Sequence, residues 1–110
     1  MTATDAAAAA KPYVSISVIT PKPGRFEEFM ALQLAQHHRV RGQVQGLRGG
    51  RLFRALDGRS VVLVTAFETI EDAQRFRQDP RFTEHMARIQ PLLESAVPGG
   101  YETAYEVGEV

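Results

Sequence analysis

The chain has 110 residues, 44% hydrophobic and 24% charged, which is enough for one core and too few for two. Thirteen acidic and thirteen basic side chains cancel without any block of like charge, so the charge pattern argues against nucleic acid or an anionic membrane as a partner. With no cysteine there is no disulfide, thiolate nucleophile or zinc–thiolate site, and no apolar run reaches membrane-spanning length, so the default expectation is a cytoplasmic protein.

Residues 1–12 open with an alanine run that contains Asp5 and lacks both an early cation and a long apolar stretch. They read as a disordered tail rather than a signal peptide, with one folded domain over 13–107. The β-branched run Tyr13 to Thr20 predicts a strand with Val14, Ile16 and Val18 on one face and Tyr13, Ser15, Ser17 and Ile19 on the other. It stops at Pro21-Lys22-Pro23-Gly24, and a helix is expected from about Gly24 to Arg41, with Phe26, Phe29, Met30 and Val40 on one side.

Leu47 to Leu56 and Ser60 to Phe67 flank Asp57-Gly58, the signal for a two-residue type I′ hairpin. That register sets Arg54 opposite Val61 and Leu52 opposite Leu63, and Gly49-Gly50 suggests a bulge. Thr69 is read as an N-cap, with Asp72 completing an imperfect capping box and Ile70, Ala73 and Phe76 forming a short buried stripe. Asp79-Pro80 restarts a helix whose apolar face is Phe82, Met86, Ile89 and Leu93, and Pro91 should end it. Pro98-Gly99-Gly100 is expected to be a loop before a last strand over Tyr101 to Val107.

The order βαββαβ is the ferredoxin-like α+β arrangement, a four-stranded antiparallel sheet with helices on one face. Val14, Ile16, Val18, Phe53, Val62 and Val64 would lie on the other face, and a homodimer through that face is the expected way to cover them.

At this point the chain resembles the antibiotic biosynthesis monooxygenase family of dimeric α+β barrels, from about Tyr13 to Tyr105. The matching features are Lys22-Pro23-Gly24 followed by Phe26-Glu27-Glu28-Phe29, then Phe67 to Ala73, then Asp79-Pro80-Arg81-Phe82. The resemblance implies a cofactor-independent oxidation of a small aromatic, quinol-like substrate between helices and sheet, or a non-catalytic binder on the same scaffold. Haem-degrading relatives use an Asn, a Trp and a His at positions that hold Ser17, Phe76 and Met86 here, with His85 one residue away. The polyketide oxygenases rely on Asn, Trp and Tyr, whereas this chain has no Asn and no Trp. The resemblance therefore does not extend to haem degradation, and neither a cofactor nor a metal is expected.

Gln33 and His37 fall between Phe26, Phe29, Met30 and Val40, near the centre of the face expected to meet the sheet. Leaving such groups buried and unpaired costs about 1–3 kcal/mol, so they need partners. One reading makes His37 the acid or base of a pocket and Gln33 the group that orients the substrate; the other makes them a structural i,i+4 pair. His85 flanks the last helix's apolar face, either as a pocket residue or packed at a boundary. Ser15 and Ser17 leave room for a ligand on the helix side of the first strand, or simply pack beneath a helix. Arg54 shares a sheet face with Leu52, Leu63 and Thr65 by the hairpin register, and it either neutralises a substrate oxyanion, if that is the face the helices cover, or points to water near the turn. Phe76, at the family's Trp position, completes the expected substrate-binding set.

Overall fold

The structure, a computed structural model, describes residues 11–108. Most of the expected N-terminal tail lies outside the described residues. Four strands form one antiparallel sheet: β1 (Tyr13–Pro21), β2 (Leu47–Arg54), β3 (Val61–Phe67) and β4 (Leu93–Glu102). The helices are α1 (Phe26–Val40), α2 (Ile70–Arg77) and α3 (Pro80–Ile89). The order across the sheet is β2-β3-β1-β4, so β1 and β3 are central and β4 is an edge.

Register follows the period-two patterning. Ser17 faces Leu63, Ile19 faces Val61, and Arg54 and Leu52 pair with Val61 and Leu63 as the hairpin predicts. The turn itself differs from the expected type I′. No described residue other than glycine has a positive φ, so Asp57 cannot take its place in that turn. Gly58 N–H donates to the Ala55 carbonyl at 2.9 Å, Gly58 takes φ 72°, and the Asp57 carboxylate accepts from Arg59 N–H at 3.0 Å. The longer loop preserves the register by adding a residue on each side. The bulge expected at Gly49-Gly50 falls just before them, as a register shift between Leu47 and Gly49, while both glycines pair regularly with Ala66 and Thr65.

The last strand is a larger correction. It runs through Pro98, Gly99 and Gly100 and ends at Glu102, pairing with β1 throughout. Proline lacks a ladder donor but is tolerated on an edge strand. At Gly100 a Cβ would lie 2.5 Å from the Tyr13 hydroxyl and 2.9–3.0 Å from its ring, so here the absent side chain is a packing requirement.

α2 is capped as predicted: Asp72 N–H donates to Thr69 Oγ1 at 3.1 Å, and the Thr69 hydroxyl donates to the Asp72 carboxylate at 3.0 Å. Only Ala73 of its expected stripe is fully buried; Phe76 is half-buried and Ile70, at the first helical position, faces solvent. α3 begins at Asp79-Pro80 and gives way at Pro91 to a short 3₁₀ turn, Gln90–Leu92, because proline cannot supply the next helical N–H.

Ile19, Phe29, Val61, Ile89 and Leu92 form the buried core, with both long helices contributing to one sheet face. The opposite face carries Val14, Ile16, Val18, Val62, Val64 and Phe53 as expected, joined by Val97 and Tyr101 of β4. Phe29 is wholly buried and touches both layers, so Phe29→Ala should cost about 3–5 kcal/mol in chemical denaturation. A loss under about 1 kcal/mol would place the core elsewhere.

Candidate functional site

The inward stripe of α1 is Phe26, Phe29, Gln33, Gln36 and Val40, alternating steps of three and four residues. Two of its members are glutamines, and each finds a partner on α3. Gln36, buried, donates from Nε2 to the Arg81 carbonyl at 3.2 Å. Gln33 Oε1 lies 2.9 Å from His85 Nε2.

His85 is 7% exposed, against a buried class that otherwise holds almost only hydrocarbon. With the Gln33 amide oxygen facing the ring, Nε2 carries the proton and donates, which leaves the lone pair on Nδ1. Nδ1 has no hydrogen-bond partner among the described residues, yet no buried unsatisfied nitrogen or oxygen exists there, so Nδ1 opens onto accessible space. Burial, followed by the positive charges of Arg88 and Arg39, holds the imidazole pKa below its ordinary 6.5. A neutral ring with a free lone pair, steadied by an amide whose own NH₂ has no partner among the described residues, can accept a proton and hold the oxygen that gave it up.

The helix side of the sheet is incompletely covered at its centre. Ser15, Ser17, Leu63 and Thr65 occupy the helix side of the two central strands, where full burial is the norm, and all four remain half-buried. Beside them the Phe76 ring packs against Phe67 at 6.1 Å and edge-on against Phe82 at 5.2 Å, which gives an aromatic wall. A cavity of about 200 Å³ also uses Phe76 as a wall, together with Asp72, Arg75 and Arg81. A cavity of about 450 Å³ beside Lys22, Phe26 and Arg59 includes none of the expected site residues.

Of the expected residues, the structure brings Gln33 and His85 into direct contact and puts Ser15, Ser17 and Phe76 on the same side of the sheet. His37 does not join them. It is exposed on the solvent side of α1, stacked loosely on His38 at 5.4 Å, and the described residues show no bond from it to Gln33. The buried stripe passes through Gln36, one position and about 100° away. Arg54 is also drawn off: its guanidinium sits 5.3 Å from the centre of the Phe26 ring and 3.6 Å from Glu27, at the start of α1. Gln36 is the residue that sequence reasoning missed, although the three-four spacing from Phe29 and Gln33 marks it. Among the described residues, no group of three side chains is placed to hold a metal ion.

The sequence profile of antibiotic biosynthesis monooxygenases matches residues 12–88, most of the folded chain. The chain belongs to the antibiotic biosynthesis monooxygenase family. No match is found among the curated proteins. Among solved structures, this family member resembles SnoaB, a cofactor-independent oxygenase from Streptomyces nogalater, at 18% identity and TM-score 0.80, covering 91% of this chain and all of that one. It also resembles Rv0793 from Mycobacterium tuberculosis, at 21% identity and TM-score 0.78, covering 88% and 99% of the two chains. A Nitrosomonas europaea structure whose name carries the same family gives 19% identity and TM-score 0.79, with 90% and 96% covered. At these identities the likeness extends to the fold.

The depressed pKa of His85 has a consequence for this family member's stability. Below the ordinary 6.5 the unfolded chain takes up a proton that the native ring resists, so stability should fall as pH drops from 6.5 toward the native pKa. Denaturation midpoints measured between about pH 5 and 7 should show that slope, and His85→Gln should flatten it. An unchanged slope in the variant would assign the effect to another group.

Proposed function

We propose that the chain is a cofactor-independent oxygenase acting on a small electron-rich aromatic that carries a ring hydroxyl. The observation supporting this reading is the Gln33–His85 pair, which couples a free basic nitrogen to a free amide donor beside a half-buried serine floor and an aromatic wall. In this reading His85 Nδ1 takes the hydroxyl proton, the Gln33 amide donates to the resulting oxyanion, and the electron-rich anion gives an electron to dioxygen. Recombination forms the carbon–oxygen bond. With an anthrone, the methylene becomes a carbonyl, one oxygen atom enters the product and the other leaves as water with the two methylene hydrogens.

Dithranol is a suitable probe. Oxygen uptake should accompany formation of the anthraquinone, and His85→Gln should lower the rate by about 10²–10⁴ while binding persists. His37→Ala should leave the rate unchanged. Uptake that is indifferent to His85 would remove the base from this reading. A second reading, a binder without turnover, draws support from the absence of the Asn and Trp on which catalytic relatives rely. Tight dithranol binding by the native protein with no oxygen uptake would select it.

We also propose that two copies pair through the sheet face opposite the helices. Val18 is 42% exposed, Phe53 41% and Val97 63%, within one aliphatic surface of a kind that isolated proteins seldom leave in water. Sedimentation should give about twice the 12.2 kDa chain mass, and Val64→Asp should yield monomer or insoluble protein. A soluble native monomer would refute the pairing.

A further inference from the structure

The cavity of about 450 Å³ at the end of the sheet lies apart from the Gln33–His85 pair, and small-molecule sites of about 300–1,000 Å³ include its size. Three charged side chains line it: Lys22 from the β1–α1 connection, Arg59 from the β2–β3 turn and Glu94 from the start of β4. Among the described residues none of the three has an opposite charge in ion-pair range, not even one another. The smaller cavity beside Phe76 differs on this point. Its charges are used internally, Arg75 on Asp72 at 2.7 Å and Arg81 on Asp79 at 2.8 Å. The neighbouring cations Arg25 and Arg54 are also held, by Glu28 at 2.9 Å and by Glu27 at 3.6 Å. Lys22, Arg59 and Glu94 are left with their charges open to a ligand.

The backbone fixes where these groups start. Thr20 pairs with Ser95 and Pro21 with Leu93, so Glu94 is the extra residue of a β-bulge, a feature that re-aims a side chain. Lys22 is pinned through its N–H to the carbonyl of the core residue Leu92 at 2.7 Å. Arg59 follows Gly58 in the turn, and its N–H donates to the Asp57 carboxylate at 3.0 Å. Between the charges the lining is apolar, from Pro21, Pro23 and the half-buried Phe26 ring.

We propose that this cavity binds a free α-amino acid with an aromatic side chain. Lys22 and Arg59 take its carboxylate, Glu94 takes its ammonium group, and Phe26 with the two prolines takes its ring. A simple anion would meet the like charge of Glu94, and a simple amine would meet two cations. Only a ligand with both charges matches all three side chains. The site is independent of the proposed oxygenase chemistry, whose groups do not line it.

The test is calorimetric titration with L-phenylalanine, 3-phenylpropanoate and phenethylamine, which carry both charges, the carboxylate alone and the ammonium alone. The native protein should bind phenylalanine about tenfold or more tightly than either of the others, the scale of one charge-assisted hydrogen bond. Glu94→Gln should erase the preference over phenylpropanoate, and the double variant Lys22→Gln, Arg59→Gln the preference over phenethylamine. Thermal midpoints should not move, because all three residues are exposed. In nuclear magnetic resonance spectra, phenylalanine should shift the amides of Lys22, Gly24, Gly58 and Arg59. Phenylpropanoate bound as tightly as phenylalanine would make this an anion site and overturn the proposal. Absence of phenylalanine binding, or shifts confined to Ser15, Ser17 and α3, would overturn it as well. None of these results bears on dithranol turnover, so the oxygenase reading stands or falls separately.

Discussion

Phe29 sits with no exposed surface between Ile19 and Val61 of the sheet and Ile89 of α3 and Leu92 just after it, and the separation of the two layers depends on that wedge. Each fully buried side chain of this kind contributes about 1.5–3 kcal/mol, whereas a neutral hydrogen bond nets about 0.5–1.5. Five such residues gathered at one end of the sheet therefore outweigh the scattered polar contacts elsewhere. With that end closed by hydrocarbon, the other end does not have to be. Ser15, Ser17 and Thr65 can stand where valine or leucine would otherwise be needed, and the layers remain apart above them.

Polar ties take over where the hydrocarbon stops. Gln36 reaches the Arg81 backbone, and Arg81 in turn holds the Gln43 carbonyl at 3.3 Å and the Gln43 side chain at 3.1 Å. Asp79 caps α3 and clamps the same guanidinium, which holds its carboxyl down to about 2. Arg39 and Glu84 close the outer side at 2.8 Å. Exposed ion pairs of this sort add little to stability. Their effect here is directional: they fix the C-terminal half of α1 against the first turns of α3. Gln33 lies between the Phe29 wedge and this clamp, and that is why a single residue of α3, His85, comes within 2.9 Å of it.

The first three strands were legible from alternation and the hairpin signal, because a period of two leaves no ambiguity about which residues share a face. The pairing of Arg54 with Val61 followed from the hairpin even though the turn took another form. The helix was harder. Gln33, Gln36 and His37 are all polar and lie within one turn, and a hydrophobic stripe interrupted by polar residues can be rotated by one position without losing its flanking phenylalanines. What decides between Gln36 and His37 is a backbone carbonyl 45 residues away, and what decides the partner of Gln33 is a histidine 52 residues away. Neither leaves a mark on local periodicity. β4 was misread for a related reason: Pro98-Gly99-Gly100 carries every local sign of a loop, and only its place at the sheet edge beneath the Tyr13 ring makes a strand of it.

The same alternation ties the two faces of the sheet together. Odd positions of β1 line the candidate site and even positions build the bare aliphatic face, and β3 and β4 are locked to them by register, Ser15 against Thr65 on one side and Gly100 on the other. A slip of one residue in β4 would bring Tyr101 to the place of Gly100, put a side chain where the Tyr13 ring lies, and turn Val97 from the aliphatic face toward the helices. Such a slip would damage the site and the bare face at once. The glycine pair in β4 therefore does more than admit a ring. It makes one register compatible with Tyr13, and through that register it fixes which residues meet the helices and which are left to meet another surface.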